Sequence, residues 1–365
     1  MLYTLFIIFI ICITIQCGYF ILHIIGLLKL KHVEKEHSEP VSIIVAAKNE
    51  YQNLQKLLPT LLEQSHADFE IIIVDDNSID DTQDFLKEQS AKYPQLKVVT
   101  VEHTPEHVNS KKYALTLGIK AAKNDLLVLT DADCVPKSNE WLNHMTKPAK
   151  DKDFVLGFSD YEKQPGLLNY FIRFETLFTA MQYFSIAKLF RPYMGVGRNL
   201  AYRKSLFLTN KGFNGYMNVM GGDDDLFVNK HATQANSSLV FEANSQTVSI
   251  PKTKLKSFLR QKTRHLNAGK HYKMSDKIIL SAFSLSYLLS WLLLPVLFIY
   301  YNELYLVISS FLLRVLLFYV AIIISTKKLN LTFNVWGLLF LDILYVIYYC
   351  YTGVVALFTK RVTWS

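Results

Sequence analysis

Cysteine is scarce in this sequence, and its cysteines form no recognisable pattern. The 365 residues contain only Cys12, Cys17, Cys134 and Cys350, three of which lie in apolar segments. No pair of them has the spacing of ligands to a metal ion. We therefore expect buried, reduced thiols in a protein that folds in a reducing compartment.

The signs of a cleaved signal peptide are lacking as well. Such a peptide begins with a basic region and ends in small residues. Residues 3–28 instead form one apolar stretch with an uncharged start, and the basic segment Lys29-Leu30-Lys31-His32 follows it. About 20 apolar residues are enough to cross a bilayer. The sequence thus predicts an uncleaved membrane anchor, followed by a cytoplasmic domain.

Hydrophobic residues make up 51% of the chain, more than one soluble domain of this size usually has. They crowd the first 30 positions and everything after about residue 278, whereas the middle has the mixed composition of a globular domain. Apolar runs predict a helical hairpin over 278–300 and 303–325, and a further span over 331–358.

This distribution predicts three parts. A transmembrane anchor covers residues 1–30, and a globular domain covers 31–277, including a juxtamembrane segment over 250–277. A transmembrane region of about three helices covers 278–365.

The formal net charge of +8 has two explanations. Nucleic-acid binding is one. The other, which we prefer, is the cytoplasmic side of a membrane, because basic residues such as Lys29, Lys31, Arg260 and Lys262 flank the apolar segments.

Arg314 lies within an apolar segment. Three interpretations of it stay open: a path for a phosphate-bearing lipid or glycan, a snorkelling side chain, and a structural ion pair.

Strand and helix patterns alternate in the middle domain. The expected strands are 41–46, 69–74, 96–101 and 126–130, and the expected helices are 50–65, 80–92 and 110–122. This alternation predicts an α/β fold, with a mostly parallel sheet and helices on both faces. Ligands bind beyond the carboxyl ends of such strands, where acidic clusters follow two of the expected strands.

The first cluster is Asp75-Asp76-Asn77-Ser78. A carboxylate there can accept a hydrogen bond from a ribose hydroxyl or a base N–H, or the segment can cap a helix that begins near Ser78. The second cluster is Asp131-Ala132-Asp133. Its two carboxylates suit Mg²⁺ or Mn²⁺ bound to a diphosphate, and a solvated acidic loop is the alternative.

Two lysines, Lys111 and Lys112, stand at the start of an expected helix. Either can reach a phosphate from there, or the pair can form an exposed basic helix end.

A further motif is Gln261-Lys262-Thr263-Arg264-His265. Its arginine suits a diphosphate, or the segment is a basic one that meets lipid headgroups. Gly195–Arg203 has the spacing of neither nucleotide-binding fingerprint.

The run Gly221-Gly222-Asp223-Asp224-Asp225 is the most informative. Like charges raise each other's pKa, and proteins accept such crowding where a base or a cation site is needed. A carboxylate here can take a proton from an acceptor hydroxyl. The alternative is a helix N-terminus that is rich in Asp to match the helix dipole.

Taken in order, these segments resemble family 2 glycosyltransferases over about residues 40–270. The likeness is greatest to the membrane-integrated branch, which includes cellulose and hyaluronan synthases and ceramide glucosyltransferases. The resemblance implies a GT-A fold, a UDP-sugar donor, Mg²⁺ or Mn²⁺, and single displacement with inversion at the anomeric carbon.

The resemblance also implies roles for individual residues. Asp224 would be the catalytic base, with Asp223 beside it, and Asp131 and Asp133 would hold the cation. The residues expected to bind the nucleotide sugar are Asn49, Glu50, Asp75, Asp76, Lys111, Asp131, Gln261, Arg264 and His265.

Two departures from the family pattern bear on the product. His265 stands where the family usually has Trp, and Asn77 stands where it usually has Gly. Only three spans follow the domain. Together with the two departures, this favours the addition of one or a few sugars to a lipid, lipid-linked or glycan acceptor over processive synthesis.

We expect an integral protein of a bacterial-type inner membrane, acting in cell envelope biogenesis without a nucleic-acid partner. The alternative is a non-catalytic subunit of a polysaccharide or glycolipid assembly or export system.

Overall fold

The computed structural model describes residues 1–32 and 38–358. Its contacts divide the chain into two compact units. The helical unit comprises Met1–Leu30, Gln164–Phe190 and the described residues from Lys252 onward. The α/β unit comprises the described residues of Lys31–Lys163 together with Arg191–Pro251.

Helices and strands follow one another in a regular order through the α/β unit. In chain order the elements of the protein are α1 (Leu2–Leu28), β1 (Val41–Ala47), α2 (Tyr51–Leu62), β2 (Phe69–Asp75), α3 (Thr82–Lys92), β3 (Leu96–Thr100), α4 (Ser110–Ala121), β4 (Leu126–Asp131), β5 (Cys134–Pro136), α5 (Trp141–Thr146), β6 (Phe154–Leu156), β7 (Ser159–Tyr161), α6 (Leu167–Leu189), β8 (Leu200–Arg203), α7 (Lys204–Thr209), α8 (Asp225–His231), β9 (Ser237–Leu239), β10 (Thr247–Ser249), α9 (Leu255–Gly269), α10 (Met274–Tyr300), α11 (Leu304–Lys328) and α12 (Leu338–Phe358).

The main sheet has the strand order β3-β2-β1-β4-β8-β6-β9. Its first four strands are parallel, and β8 runs antiparallel to β4. A second sheet has the order β5-β10-β7. The predicted α/β fold with a mostly parallel sheet is therefore confirmed, and the predicted elements of the middle domain end within three residues of the observed ones.

Apolar side chains hold this sheet to its helices. The apolar face of α2, with Leu54 and Leu61, packs in one buried cluster with Ile43 of β1 and Ile73 of β2. The strands carry continuous apolar runs because parallel strands are covered on both faces.

Strand β1 lies between β2 and β4, where the strand order reverses, and a crevice forms at such a point. In the register, Ala47 of β1 pairs with Asp75, and Ala46 pairs with Asp131. The two acidic clusters thus flank the carboxyl end of one strand.

Among the described residues, four helices are long and apolar enough to cross a membrane: α1, α10, α11 and the Leu338–Val355 part of α12. They match the predicted anchor and the three predicted C-terminal spans. Helices α6 and α9 cluster with them in the helical unit. The aromatic residues of α6 include Phe174 and Phe178, which are fully buried, so α6 is a core helix of this unit. The three-part division of the chain stays a prediction.

Arg314 of α11 forms a structural ion pair. Its guanidinium binds the carboxylate of Asp342 in α12, and Tyr287 of α10 donates a hydrogen bond to the same carboxylate. Arg314 and Asp342 have no exposed surface. Of the three interpretations open from the sequence, the structure therefore supports the ion pair.

We expect Arg314→Met to destabilise the protein by about 3 kcal/mol or more, because it leaves Asp342 charged, buried and unpaired. The triple change Arg314→Met, Asp342→Leu and Tyr287→Phe removes the polar network as a whole and should restore most of this stability. Thermal unfolding in detergent measures both variants. A triple variant as unstable as the single one would contradict the explanation.

Candidate active site

Asp75 is the last residue of β2, and one of its two carboxylate oxygens has no hydrogen-bond partner among the described residues. The residue is only 1% exposed, and its Oδ1 accepts a hydrogen bond from the Ser78 N–H at 3.3 Å. Its Oδ2 is enclosed and makes no hydrogen bond within the described structure. The predicted helix does not begin near Ser78, since α3 starts at Thr82 with Asp81 as its N-cap. Asp75 therefore does not serve as a helix cap, and Oδ2 can accept from a ligand N–H.

Asn49 and Glu50 connect the loop after β1 to the loop after β2. The Asn49 N–H donates to Ser78 Oγ at 2.8 Å, and its Oδ1 accepts from the Ile79 N–H at 2.8 Å. The Glu50 N–H donates to Thr82 Oγ1 at 3.0 Å. Asp76, which follows β2, also contacts the segment after β1, because Lys48 Nζ lies 3.4 Å from Asp76 Oδ2. These contacts bring the four predicted nucleotide-binding residues of the first two loops together.

Asp131, Asp133 and Cys134 offer ligand atoms that all lie within 4.8 Å of one another. Burial raises the pKa of the Cys134 thiol well above its ordinary value, and the charges of Asp133 and Asp131 add to the rise. A protonated thiol is a poor ligand for a hard cation, whereas two carboxylates suit one. This donor set fits Mg²⁺ or Mn²⁺, and that Asp131 and Asp133 hold such a cation stays a prediction.

Lys111 joins the two acidic clusters that the sequence shows separately. Its Nζ lies 2.9 Å from Asp131 Oδ1 and 3.1 Å from Asp223 Oδ2. Burial lowers the pKa of Lys111, but the charges of Asp131, Asp223 and Asp224 outweigh it and raise that pKa above its ordinary value. The ammonium group is therefore a fixed positive charge between two groups of carboxylates.

Lys112 has a different role from its neighbour. It is fully buried, and its Nζ donates to the backbone carbonyls of Tyr216 at 2.8 Å and Val219 at 2.7 Å. Burial lowers its pKa to about 8. The N-cap residue of α4 contacts the same loop, since the Asn109 N–H donates to the Met217 carbonyl at 2.9 Å. The start of α4 thus holds the loop that leads to the Asp223–Asp225 run.

Two glycines with positive φ introduce this run. Gly221 and Gly222 both have φ of 74°, a conformation that other residues rarely adopt. Helix α8 then begins at Asp225, and Asp224 is its N-cap, with Oδ1 accepting from the Asp225 N–H at 2.7 Å. The helix-cap interpretation is therefore correct for Asp224, but it accounts for only one of its two oxygens.

The other oxygen of Asp224 is held by a residue that the sequence did not single out. Asp224 Oδ2 accepts a hydrogen bond from the Gly197 N–H at 2.6 Å. A Cβ atom at position 197 would lie 3.1 Å from this oxygen, so only glycine allows the close approach without a shift. The glycines at 195 and 197 were the available signal, but their spacing matched neither nucleotide fingerprint.

The neighbouring carboxylates of Asp223 and Asp224 have opposite pKa shifts. Burial and the charge of Asp223 raise the pKa of Asp224 to about 6, against the Lys111 charge and the two N–H donors. Burial also acts to raise the pKa of Asp223, but Lys111 outweighs it, and that pKa is lowered. Such a split gives one permanently ionised carboxylate and one whose proton affinity suits a general base near neutral pH.

Gln261, Arg264 and His265 lie on α9 of the helical unit. Their spacing of three and four residues puts them on one side of that helix. Lys262, which lies between them in sequence, forms an ion pair with Glu175 of α6. That the three residues approach a nucleotide stays a prediction.

The fold defines the class to which the α/β unit belongs. The structure is similar to that of a mannosyltransferase from Pyrobaculum calidifontis, solved in complex with GDP-Man and Mn²⁺. The TM-score is 0.59 at 18% sequence identity, over 88% of this chain and 99% of the other. The fold is therefore a GT-A fold.

Residues 42–208 match the model of glycosyl transferase family 2. The chain thus contains a family 2 glycosyltransferase domain. It is 36% identical over 110 residues to a 4,4'-diaponeurosporenoate glycosyltransferase of Staphylococcus haemolyticus, which is 30% of this chain and 28% of that protein. It is 34% identical over 129 residues to a beta-monoglucosyldiacylglycerol synthase of a Nostoc species, which is 33% of this chain and 27% of that protein. The chain spans less than a third of the length of these curated relatives.

Lys111 Nζ lies 2.9 Å from Asp131 Oδ1, so its positive charge opposes the binding of a cation by that carboxylate. We expect Lys111→Met to tighten Mn²⁺ binding by about tenfold, the order expected when a like charge a few ångströms away is removed. Calorimetry without nucleotide measures the affinity.

The matched control is Lys120→Met, which removes an exposed lysine from the other end of the same helix and should leave Mn²⁺ binding unchanged. Unchanged or weaker Mn²⁺ binding by Lys111→Met would contradict the assignment of the cation to Asp131.

Proposed function

We propose that this protein is an inverting glycosyltransferase that moves a sugar from a UDP-activated donor to a membrane lipid, a lipid-linked acceptor or a glycan. The main observation in support is the environment of Asp224. This carboxylate has a pKa of about 6 and is fixed by two backbone N–H groups. Lys111 Nζ contacts both Asp223, the residue before Asp224, and Asp131, which with Asp133 forms the proposed cation-binding pair.

The free oxygen of Asp75 supports a nucleotide at the end of β2. Because Oδ2 is buried without a partner, a base N–H is a suitable donor to it. Asp76 is the next residue, and Asn49 and Glu50 are hydrogen-bonded to the segment that follows β2, which favours the uridine site implied by the family resemblance. The Pyrobaculum mannosyltransferase was solved with GDP-Man, so a donor screen must include GDP-sugars as well as UDP-sugars.

Asp131 and Asp133 are the residues that would hold Mg²⁺ or Mn²⁺. When bound, such a cation offsets the negative charge that develops on the departing diphosphate. Lys111 supplies a second positive charge beside Asp131. By resemblance, Gln261, Arg264 and His265 of α9 approach the same diphosphate.

Asp224 is the proposed general base. The acceptor hydroxyl gives its proton to the Asp224 carboxylate as its oxygen forms a bond to the anomeric carbon of the sugar. The bond from that carbon to the phosphate oxygen breaks in the same displacement, and UDP leaves with the electron pair. Attack from the face opposite to the leaving group inverts the anomeric configuration. Asp223 stays ionised and helps to keep the proton affinity of Asp224 high.

The acceptor is proposed from the rest of the chain. Four apolar helices favour a membrane-bound acceptor, and the names of the two relatives refer to diaponeurosporenoate and to monoglucosyldiacylglycerol. Both favour a lipid. The basic residues after α1 favour a cytoplasmic α/β unit at a bacterial-type inner membrane.

Replacement of the base gives the first test. We expect Asp224→Asn to lower kcat by about 100-fold or more, because the amide cannot accept the proton. Transfer from labelled UDP- and GDP-sugars measures the loss, and calorimetry with UDP and Mn²⁺ should show unchanged binding. Asp84→Asn, an exposed change on α3, is the control.

Transfer at the wild-type rate by Asp224→Asn would rule out this base. Failure of the wild-type protein to bind any nucleotide with Mn²⁺ would favour the alternative, a non-catalytic subunit of a glycan assembly or export system.

The pH dependence gives a second test. Protonated Asp224 cannot act as a base, so kcat/KM should fall as the pH drops through about 6. The charge of Lys111 lowers the pKa of Asp224. Lys111→Met should therefore move the half-maximal pH upward, whatever it does to the maximal rate. A downward shift would contradict the assignment.

A further inference from the structure

Arg198 has an enclosed nitrogen that the proposed mechanism does not use. It lies in the Gly197–Asn199 turn, next to the glycine that contacts Asp224. In the part of the chain that the structure describes, its Nη1 is buried and makes no hydrogen bond. Buried guanidinium nitrogens normally have partners, so this one points to a ligand.

The backbone of Arg198 is held firmly. Its carbonyl accepts hydrogen bonds from Thr130 Oγ1 of β4 and Thr247 Oγ1 of β10, each at 3.0 Å. The next residue, Asn199, has no exposed surface and bonds to the Trp141 indole at 3.0 Å. Its amide nitrogen donates to two further backbone carbonyls at 2.7 Å each. The position of the Arg198 backbone is thus fixed before any ligand binds.

The side chain of Arg198 is oriented as well. Its guanidinium lies 4.4 Å from the centroid of the Tyr161 ring, a cation–π contact that keeps the planar group in one orientation. Fixed backbone and stacked side chain together reduce the entropy that a ligand contact would cost.

Arg198 lies close enough to Asp131 and Asp133, the two proposed cation ligands, for their charges to act on it. Burial lowers the pKa of its guanidinium, but neighbouring groups that include the carboxylates of Asp133 and Asp131 outweigh burial and raise that pKa above its ordinary value. Thr130, which bonds to the Arg198 carbonyl, is the residue before Asp131 in β4. Arg198 is therefore influenced by the charges of Asp131 and Asp133, and it directly follows Gly197, whose N–H binds Asp224.

We propose that Arg198 binds a phosphate oxygen of the donor's diphosphate from within the α/β unit. A cation on Asp131 and Asp133 would join to diphosphate oxygens, and a guanidinium next to that pair offers bidentate hydrogen bonds to the same oxygens. The inference rests on the proposed function. It adds that the α/β unit has its own arginine for the diphosphate, in addition to Arg264 on α9.

The test compares ligands with and without phosphates. With Mn²⁺ present, Arg198→Gln should weaken UDP binding by about 10-fold or more, and uridine binding should stay unchanged because the uridine contacts lie at Asp75. Calorimetry measures UDP, and ligand-observed NMR measures uridine. Uridine binding also reports that the variant is folded. If Arg198→Gln does not fold, Arg198→Lys gives the same comparison, because a lysine keeps the charge and loses the bidentate geometry.

Unchanged UDP affinity would overturn the inference, and unchanged UDP affinity with a raised KM for the acceptor would assign Arg198 to the acceptor instead. An equal loss of UDP and uridine affinity in a folded variant would overturn it too, by making Arg198 a structural residue. A wild-type protein that binds neither UDP nor uridine would overturn the proposed function. Normal wild-type binding of both, with no loss of UDP affinity in the variants, would overturn this inference alone.

Discussion

The contact of Lys111 with two carboxylates is the interaction on which the site depends. Asp131 ends a strand, Asp223 lies in a loop far along the chain, and Lys111 stands at the start of α4. Without a positive charge between them, these carboxylates would repel one another in a partly buried position. Lys112 and Asn109 hold the same loop through its backbone carbonyls. The first turn of α4 therefore fixes the acidic loop by charge on one side and by hydrogen bonds on the other.

From this arrangement follows the difference between Asp223 and Asp224. Lys111 contacts Asp223 directly and keeps it ionised, and the ionised Asp223 then raises the proton affinity of Asp224. Gly197 and Asp225 orient the Asp224 carboxylate without neutralising it. A carboxylate with this pKa is ionised at neutral pH and still binds a proton well enough to accept one from a hydroxyl, as the proposed base must.

The sequence predicts those parts of the fold and site that depend on local patterns. Apolar runs such as 69–74 and 126–130 predict the parallel strands, and Asp75 and Asp131 come directly after these two runs. Contacts between distant segments left no such pattern. The Gly197–Asp224 bond spans 27 residues, and the Lys112–Tyr216 bond spans 104. The short strands β5, β7 and β10, each three residues long, were not predicted, because three residues are too few to show a period. In the same way Arg314 stood out alone, since its partner Asp342 lies in another helix.

A structure of the protein with UDP and Mn²⁺ tests the central claim most directly. The account predicts Mn²⁺ on Asp131 and Asp133, the uracil at Asp75, and Lys111 Nζ within hydrogen-bond distance of the diphosphate while it keeps its contact with Asp223. A nucleotide bound elsewhere, or Mn²⁺ held without Asp131 and Asp133, would contradict it.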